Sequence, residues 1–430
     1  MTESEDYPAS WYAATRNIHN EYPTLDEHVS ADVCVIGGGF SGLSTAIYLA
    51  EQGIDVVVLE TNRVGWGASG RNGGHLVRGY GENTHDLVTR QIGEEAGKRA
   101  RQLGYGCLDL VRDMVARYKI NCDLMNGYVR LAVTRRQVIE LRATAEEWER
   151  NEAPGKGQFV EKADLNGLIG SDAYHAGLFS DAEGHLHPLN LVLGEANALA
   201  GLGGRIFEHS AATDIQYDQN DGPVHVTTQR GSVKADTLVL CGNAYLEKLE
   251  PRLRSTLVPG YSGIIATEPM AASYTTRIMP NRFACSDLRT VMDYFRMTPD
   301  GRLLWGGLAH WSGDDSDNPR DLLRKRMLKI FPSLAGVAID YSWTGRIGIS
   351  ANLNPQVGRL APNVYYAQAY SGHGVASTHL SGRMIYDAIM GGSDDFEMFA
   401  SLKHLAIPPF ATVRRLARAW GMNSRRVMER

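Results

Sequence analysis

The chain has 430 residues, of which 43% are hydrophobic and 22% are charged, and its formal net charge is −5. This length exceeds what one hydrophobic core usually supports, so we expect two domains or one domain with a large insertion. The negative net charge gives no general attraction for nucleic acid, which is therefore not an expected partner.

The N-terminal stretch "MTESEDYPASWYAATRN" is acidic and contains no apolar segment of the kind found in secretory signals. The five cysteines, Cys34, Cys107, Cys122, Cys241 and Cys285, have no CxxC or paired spacing. This pattern predicts buried thiols in a reducing compartment, and the cytoplasm is the expected location.

The segment "ADVCVIGGGFSGLSTAIYLAEQGIDVVVLE", residues 31–60, predicts a strand, a helix over 41–52 and a second strand. Part of it is an uncharged run almost long enough to cross a bilayer. Because three glycines interrupt this run where a strand would end, a soluble parallel-sheet unit is favoured over a transmembrane helix.

Gly37, Gly39 and Gly42 form a G-x-G-x-x-G motif between the first strand and the helix. The glycines permit a tight turn, close approach of a pyrophosphate and packing of the helix on the strand, and the helix N-terminus attracts phosphate. Glu60 ends the second strand, where a carboxylate can bind the adenosine ribose and would repel a 2′-phosphate. These features predict a dinucleotide other than NADP.

A glycine-rich stretch, "RVGWGASGRNGGH", follows at residues 63–75. Such a loop can run beneath the pyrophosphate to an isoalloxazine ring, to which Ser69, Arg71 and Asn72 would donate; the alternative is a flexible surface loop. Near the other end of the chain, Gly372 and Gly374 open a second helix after a strand. Its N-terminus would stabilise a reduced flavin, so the pattern favours FAD over NAD.

Between these two regions the predicted elements are of mixed type. Residues 86–150 read as helical, residues 200–250 as strands, and residues 255–345 as mixed, with a hairpin turn at Pro299-Asp300-Gly301. The tail after residue 400 is basic and could face water or touch a membrane surface.

The chain resembles the D-amino-acid oxidase/glycine oxidase superfamily of FAD-dependent amine oxidoreductases. The resemblance is carried by "SWYAATRN", residues 31–60, "GWGASGRNGG", "GHLHPLNLVLGEANA", "VLCGNAYL", "WTG" with "NPQVGRL", and "VYYAQAYSGHGVASTHLSGR". It implies an α/β fold in which a glutathione-reductase-like FAD-binding domain is interleaved with a mixed-sheet substrate domain. The implied boundaries are 1–85, 160–250 and 345–400 for the FAD domain, 86–159 and 251–344 for the substrate domain, and 401–430 for the tail.

The resemblance also implies the cofactor-binding residues. They are Gly37, Gly39, Gly42 and Glu60 for the ADP half; Ser69, Arg71, Asn72, Gly73 and Gly74 for the loop beside the flavin; Ala212 beside the adenine; Gly242 beneath the cofactor; Gly372, His373 and Gly374 at the pyrimidine edge; and the neighbouring Phe40, Ser41, Thr61, Arg63, Gly67, Ala68, His75 and Gly345.

The attachment of the flavin is expected to be non-covalent. Relatives resembling sarcosine oxidase tether it through a C-terminal cysteine, and this chain has no cysteine after Cys285. A bond to His75 is conceivable, but a hydrogen-bonding or packing role is favoured. His185 and His187 lack a third ligand, so no metal is expected.

The implied reaction is hydride transfer from the carbon beside a substrate amine to flavin N5, followed by imine hydrolysis and reoxidation by O2 or another acceptor. The expected substrate is an amine of the gamma-glutamylputrescine or polyamine type. Arg346 supports an alternative, a small cyclic or secondary amino acid such as L-pipecolate, because arginine binds carboxylates bidentately; it could equally pair with a local acid. Tyr261, Tyr294 and His373 are the other candidate catalytic residues.

Two further hypotheses remain open at this stage. One is a flavin-binding subunit without turnover, and the other is a 2-hydroxyacid dehydrogenase on the same fold. Flavin reduction by an amine, and the nature of the product, separate them from an amine oxidoreductase.

Overall fold

The computed structural model describes residues 7–81, 83–220, 222–310 and 318–407. The strands, in chain order, are β1 (His28–Ile36), β2 (Val56–Leu59), β3 (His75–Leu76), β4 (Met125–Ala132), β5 (Gly157–Glu161), β6 (Ala176–His185), β7 (Arg205–Phe207), β8 (Asp214–Gln216), β9 (Val224–Thr227), β10 (Ser232–Leu240), β11 (Leu257–Thr267), β12 (Ala284–Asp287), β13 (Asp293–Met297), β14 (Leu303–His310), β15 (Ile339–Ser350), β16 (Gln356–Ala361) and β17 (Val364–Gln368).

The α-helices in the same described ranges are α1 (Trp11–Ala14), α2 (Phe40–Ala50), α3 (Thr84–Gln91), α4 (Glu94–Arg117), α5 (Arg135–Arg150), α6 (Pro188–Gly201), α7 (Pro251–Arg254), α8 (Ala272–Ile278), α9 (Arg320–Ile330), α10 (Gly374–Ile389) and α11 (Asp394–Ala400). The basic tail predicted for residues 401–430 lies outside the described residues from residue 408 onward.

The first sheet has the order β16-β17-β10-β1-β2-β7, with β8 and β9 continuing from β10. β1 is parallel to both β10 and β2, and β17 and β7 extend the parallel arrangement on the two sides. The last four residues of β1 and all of β2 are buried, as expected for parallel strands covered on both faces. This sheet therefore presents the carboxyl ends of β1, β2 and β10 at one edge.

Three helices cover one face of the first sheet. α2, α6 and α10 are almost entirely buried, and α2 contacts both of the others. A Cβ atom added at Gly382 would lie 2.2 Å from Ser44 Oγ, so α10 and α2 approach each other closely. Because α2 and α10 each follow a strand of this sheet, their N-termini lie at the same edge.

The second sheet is mixed and has the order β15-β11-β14-β13-β12-β4-β6-β3, with β5 added to β6. β11 pairs along almost its whole length with β15, and β13 and β14 form an antiparallel hairpin. The turn of that hairpin is at residues 298–302, as predicted from Pro299-Asp300-Gly301. Helix α5 packs on β4 and β6, α4 packs on α3 and α10, and α9 packs on β11 and β14.

Most predicted elements are confirmed, including the strand–helix–strand unit over residues 31–60 and the strands between 200 and 250. The helical prediction for residues 86–150 is wrong in part, because Met125–Ala132 is a strand. It pairs antiparallel with β6 and parallel with β12, two partners that are distant in sequence. These long-range pairings, with Tyr128, Val129 and Leu131 buried, override the local helical preference.

The predicted domain boundaries do not coincide with sheet membership. β6 and much of β15 lie in the second sheet, whereas residues 160–250 and 345–400 were assigned to the FAD domain. β6 has this position because it pairs with β4 and β5, and β15 because it pairs with β11. The division into domains itself stays a prediction.

Candidate active site

The turn between β1 and α2 is shaped by its glycines. Gly37 has φ +112°, a backbone conformation that favours glycine. A Cβ at Gly42 would lie 2.0 Å from the Gly37 oxygen, and a Cβ at Gly39 would lie 2.7 Å from Ser69 Oγ. Gly39 is the N-cap of α2 and has no side chain to accept from its N–H groups, and the first of them, Phe40 N, donates to Ser69 Oγ.

Glu60 lies immediately after β2 and is held by main-chain groups. Its Oε2 accepts a hydrogen bond from Gly38 N at 2.8 Å, and its Oε1 accepts one from Asn62 N at 2.9 Å. Burial raises the pKa of this carboxyl, and the two N–H donors oppose that shift. The carboxylate is therefore fixed beside the glycine turn, where the ribose of a dinucleotide lies in this type of fold.

The glycine-rich loop is an ordered structure, contrary to the flexible-loop alternative. Asn72 Nδ2 donates to the oxygens of Ala68 and Ser69, and its Oδ1 accepts from Gly74 N at 2.8 Å. Arg71 stacks over the ring of Trp66, with Cζ 4.4 Å from the ring centroid. Both side chains thus stabilise the loop itself, while Ser69 Oγ accepts from Phe40 N at 3.0 Å.

The N-terminus of α10 also follows a glycine turn, and its N-cap residue also makes no side-chain capping bond. Gly372 has φ +89°, and His373 caps α10 without a side-chain hydrogen bond. Its Nε2 donates to the main-chain oxygen of Arg78 at 3.0 Å, and burial lowers the pKa of the imidazole. The first N–H groups of α10 are consequently left for a ligand.

Both helix N-termini line one cavity of about 980 Å3. Its lining includes Gly37 and Gly39, Gly372 and Gly374, and most of the glycine-rich loop. Two helix N-termini, a fixed carboxylate and a glycine-rich surface fit the pyrophosphate, ribose and ring system of FAD. The residues present therefore fit this cofactor.

The cavity collects most of the predicted site residues. Those that line it are Gly37, Gly39, Phe40, Ser41, Glu60, Thr61, Gly67, Ala68, Ser69, Arg71, Asn72, Gly73, His75, Ala212, Gly242, Tyr294, Gly345, Gly372, His373 and Gly374.

Five predicted site residues are not among the lining residues: Gly42, Arg63, Gly74, Tyr261 and Arg346. Gly42 and Gly74 are positions of close main-chain approach, since a Cβ at Gly74 would lie 2.1 Å from the Leu186 oxygen. Arg63 pairs with Glu208 at 2.9 Å. These three residues therefore contribute to the packing around the cavity and not to its surface.

Arg346 lies on β15 between two lining residues, Gly345 and Ile347. Arg346 itself is not a lining residue, but its side-chain contacts Glu247 and Tyr245 are, so its guanidinium lies next to the cavity. Its Nη1 donates to Glu247 at 2.7 Å, and its Cζ lies 5.3 Å from the ring centroid of Tyr245. This pairing with a local acid matches the structural alternative predicted for the residue. Tyr261 pairs with Arg346 across the β11–β15 ladder and is buried.

An aromatic cluster forms the cavity wall beside the glycine-rich loop. The His75 ring meets Tyr128 and Tyr294 edge-on, with centroids 5.4 and 5.2 Å away. The hydroxyl of Tyr294 shares a 2.9 Å hydrogen bond with Ser262 Oγ. Burial, together with the charge of Arg296, lowers the pKa of His75 to about 3, so its imidazole is neutral at physiological pH.

Several lining residues were not predicted from the sequence. They include Asn62, Trp66, Arg78, Tyr128, Cys241, Tyr245, Trp148, Ile347 and Tyr370. Trp66 lies within the glycine-rich stretch and Arg78 just after it, so both could have been proposed from that position. Asn62, Cys241 and Ile347 adjoin predicted residues, whereas Tyr128 and Trp148 belong to elements that only the tertiary fold brings to the cavity.

His185 and His187 have packing and capping partners. His185 Nε2 donates to the oxygen of Arg282 at 3.0 Å, and His187 Nδ1 accepts from Asn190 N at 3.1 Å. Among the described residues, no group of three or more His, Cys, Asp or Glu side chains is arranged to hold a metal ion. In the same part of the chain, no helix has both the length and the apolarity needed to span a membrane.

The fold and the cavity define a dinucleotide-binding oxidoreductase with a mixed-sheet second domain. The chain belongs to the FAD dependent oxidoreductase (DAO) family, whose sequence model matches residues 32–388. It is an FAD-dependent oxidoreductase of the amine and amino-acid oxidase type, as the sequence resemblance implied.

Individual relatives agree with this membership. The chain is 40% identical over 418 residues to gamma-glutamylputrescine oxidoreductase of Escherichia coli K12, with 96% of both chains covered. It is 37% identical to the probable oxidoreductase OrdL of Haemophilus influenzae, with 93% of this chain and 92% of the relative covered.

Solved structures have the same fold at low sequence identity. L-proline dehydrogenase from P. horikoshii matches with a TM-score of 0.71 at 20% identity, covering 85% of this chain and 95% of its own. Glycine oxidase from Geobacillus kaustophilus matches with a TM-score of 0.71 at 18% identity, covering 88% of this chain and all of its own. The predicted fold class is therefore confirmed.

Proposed function

We propose that this protein oxidises the C–N bond of an amine of the gamma-glutamylputrescine or polyamine type. The product is an imine, which water hydrolyses to an aldehyde and ammonia or an amine, and the two electrons pass finally to O2 or another acceptor. The observation that carries this proposal is the 40% identity to gamma-glutamylputrescine oxidoreductase over 96% of both chains.

The cavity offers suitable chemistry for this reaction. When bound, FAD supplies a two-electron oxidant for the carbon next to the amine. The N–H groups at the start of α10 place the positive end of a helix dipole at the cavity, which favours negative charge there. Tyr294, hydrogen-bonded to Ser262, offers a fixed hydroxyl to orient a substrate.

His75 completes this wall without acting as a strong base. Its low pKa keeps the imidazole neutral, so it does not repel a positively charged amine. The reaction then depends on an amine that reaches the cavity in its neutral form, and the role of the protein is mainly to position it. We name no residue as general base.

Oxidation of a small cyclic amino acid such as L-pipecolate is the second candidate. Its main support was Arg346, whose guanidinium is paired with Glu247 and is not among the lining residues. This candidate is therefore weaker than the polyamine-type substrate.

The flavin is proposed to be non-covalently bound. Cys241 is the one cysteine among the lining residues of the described cavity, and burial raises its pKa to about 12, which disfavours a reactive thiolate. Acid precipitation of the holoenzyme should release the flavin into the supernatant. Flavin that stays with the denatured protein would contradict this, and the modified peptide would identify the linkage.

The function is tested by mixing the holoenzyme anaerobically with gamma-glutamylputrescine, putrescine or L-pipecolate and following the visible absorbance of the flavin. We expect gamma-glutamylputrescine to reduce the flavin fastest and to yield an aldehyde. Admission of air, with and without an artificial acceptor, then identifies the electron acceptor from peroxide formation. If none of the amines reduces the flavin, or if only L-pipecolate does, the proposal is wrong.

A further inference from the structure

A buried cluster of three charged side chains, Arg78, Arg130 and Glu183, lies beside the cavity. Arg130 makes a two-pronged ion pair with Glu183, with Nη2 2.8 Å from Oε1 and Nη1 bonded to Oε2. The same Oε1 accepts from Arg78 N at 2.8 Å and lies 3.6 Å from Arg78 Nε. Two guanidiniums thus share one carboxylate, and the cluster carries one excess positive charge.

This excess charge is largely shielded from bulk water. Arg78 is 6% exposed, Glu183 is fully buried, and the side chain of Arg130 is 18% exposed. Burial lowers the pKa of Arg78, whereas the two guanidiniums outweigh the effect of burial on Glu183 and lower its pKa. A buried charge without a counter-charge is costly, so such a site favours an anion.

Arg78 also has an unused hydrogen-bond donor. Its Nη2 donates to Pro154 O and to Ser180 Oγ, each at 3.0 Å, but its Nη1 has no partner within the described part of the chain. The guanidinium is stacked on Trp148, with Cζ 4.0 Å from the ring centroid. Stacking fixes the plane of the guanidinium, and Nη1 is a buried donor whose missing hydrogen bond a bound anion would supply.

The location links this cluster to the reacting centre. Arg78 lines the cavity, and its main-chain oxygen accepts from His373 at the N-terminus of α10. Arg101 and Arg130 also line the cavity, and Arg101 lies 3.6 Å from Glu147, another lining residue. The excess positive charge therefore belongs to the cluster of Arg78, Arg130 and Glu183.

We propose that Arg78, supported by Arg130, Glu183 and Trp148, forms a subsite for a carboxylate that the amine substrate carries away from its reacting carbon. This inference deepens the proposed function, on which it rests for the identity of the reacting amine. The subsite predicts that the substrate carries a negatively charged group. The protein would then prefer amines with a carboxylate over simple diamines.

The subsite is tested without turnover by titrating the holoenzyme with glutarate and with the neutral glutaramide, measured by calorimetry and by changes in the flavin spectrum. We expect saturable binding of glutarate only. The Arg78→Met variant should bind it about tenfold to a hundredfold more weakly, as expected for a lost hydrogen bond to a charged group. Equal binding of both compounds, or unchanged binding by Arg78→Met, would overturn the proposal.

Two variants control for indirect effects. Arg142→Met removes an arginine on α5 that pairs with Glu161 outside the cavity lining, and it should bind glutarate like the parent protein. Arg78→Lys keeps the charge without the planar fork and should recover part of the binding. If Arg78→Met changes the flavin midpoint potential but still binds glutarate like the parent protein, the positive charge of Arg78 acts on the flavin and not on a substrate carboxylate. That result would overturn the subsite.

Substrate selection gives the second measurement. N-glutarylputrescine and its methyl ester differ only in the carboxylate, so the ratio of their rates of flavin reduction isolates that group. The parent protein should prefer the free acid, and Arg78→Met should abolish the preference mainly through KM. If neither compound reduces the flavin while glutarate binding depends on Arg78, the proposed function fails and the anion subsite stands.

Discussion

The Nε atom of Arg296 donates a hydrogen bond to the main-chain oxygen of Gly73 at 3.0 Å. The same guanidinium donates through Nη2 to Leu186 O at 3.0 Å and to the hydroxyl of Tyr12 at 3.2 Å. Arg296 is 1% exposed. It thereby joins the second sheet, the N-terminal helix and the loop that lines the flavin cavity.

Arg296→Met should lower the free energy of unfolding by about 2–4 kcal/mol, because it leaves buried carbonyl groups without donors. The FAD content of the purified protein should fall with it, since the loop at Gly73 loses its anchor. Denaturant unfolding and flavin release measure the two effects. Arg136→Met, at an exposed ion pair on α5, is the control and should cost less than about 0.5 kcal/mol; similar losses in both variants would contradict the anchoring role.

Glu60→Ala should weaken FAD binding by about tenfold to a hundredfold, because the fixed carboxylate that faces the ribose is lost and Gly38 N loses its partner. The dissociation constant can be measured by flavin fluorescence during reconstitution of the apoprotein. Asp55→Asn changes a carboxylate just before the other end of β2, where it pairs with Arg205, and should leave FAD affinity unchanged. Equal affinities in the parent and Glu60→Ala proteins would exclude this role.

Gly42→Ala should prevent correct closure of the glycine turn, because its Cβ would lie 2.0 Å from the Gly37 oxygen. We expect loss of bound FAD and a stability loss of at least about 2 kcal/mol. Gly201→Ala is the matched control at the end of α6, where a Cβ meets no atom within 4 Å. It should be neutral or stabilise the helix by up to about 1 kcal/mol; a flavin-replete, stable Gly42→Ala protein would refute the turn geometry.

Tyr294→Phe tests the cavity wall. The substitution removes the hydroxyl bonded to Ser262 and keeps the ring, so FAD content should be unchanged. If the hydroxyl orients the substrate, kcat/KM should fall by about tenfold, the scale of one hydrogen bond in the transition state. Unchanged kinetics would restrict Tyr294 to packing against Gly73 and His75.

The unfolding free energy should decrease as the pH falls below about 6.5. Burial, with the charge of Arg296, lowers the pKa of both His75 and His187 to about 3, so between pH 3 and 6.5 only the unfolded chain binds these protons. Proton uptake on unfolding means that stability is lost as pH falls, by about 2–3 kcal/mol for the two groups together from pH 7.5 to 5.5.

The His187→Asn variant should reduce this pH dependence, since asparagine can still accept the capping hydrogen bond from Asn190 N. Exposed His225→Asn should leave the dependence unchanged, because that side chain meets water in both states. Denaturant titrations at the two pH values give the measurement, and a slope identical in the parent and His187→Asn proteins would contradict the assignment.

The sequence alone determined the dinucleotide-binding half of this protein. The glycine spacing from Gly37 to Gly42, the carboxylate of Glu60 and the loop before His75 are local features whose geometry follows from backbone sterics and short-range hydrogen bonds. The second glycine turn at Gly372 was predictable for the same reason. Both turns line the cavity as predicted.

Only the tertiary structure decided the substrate side. The prediction of a helix at β4 was wrong because this strand is stabilised by pairing with β6 and β12, which are far away in the chain. Arg346 forms an ion pair with Glu247, an acid on another segment, and is not itself among the lining residues. The cluster of Arg78, Arg130 and Glu183 comes from three separate segments, so a single sequence contains no spacing that reveals it.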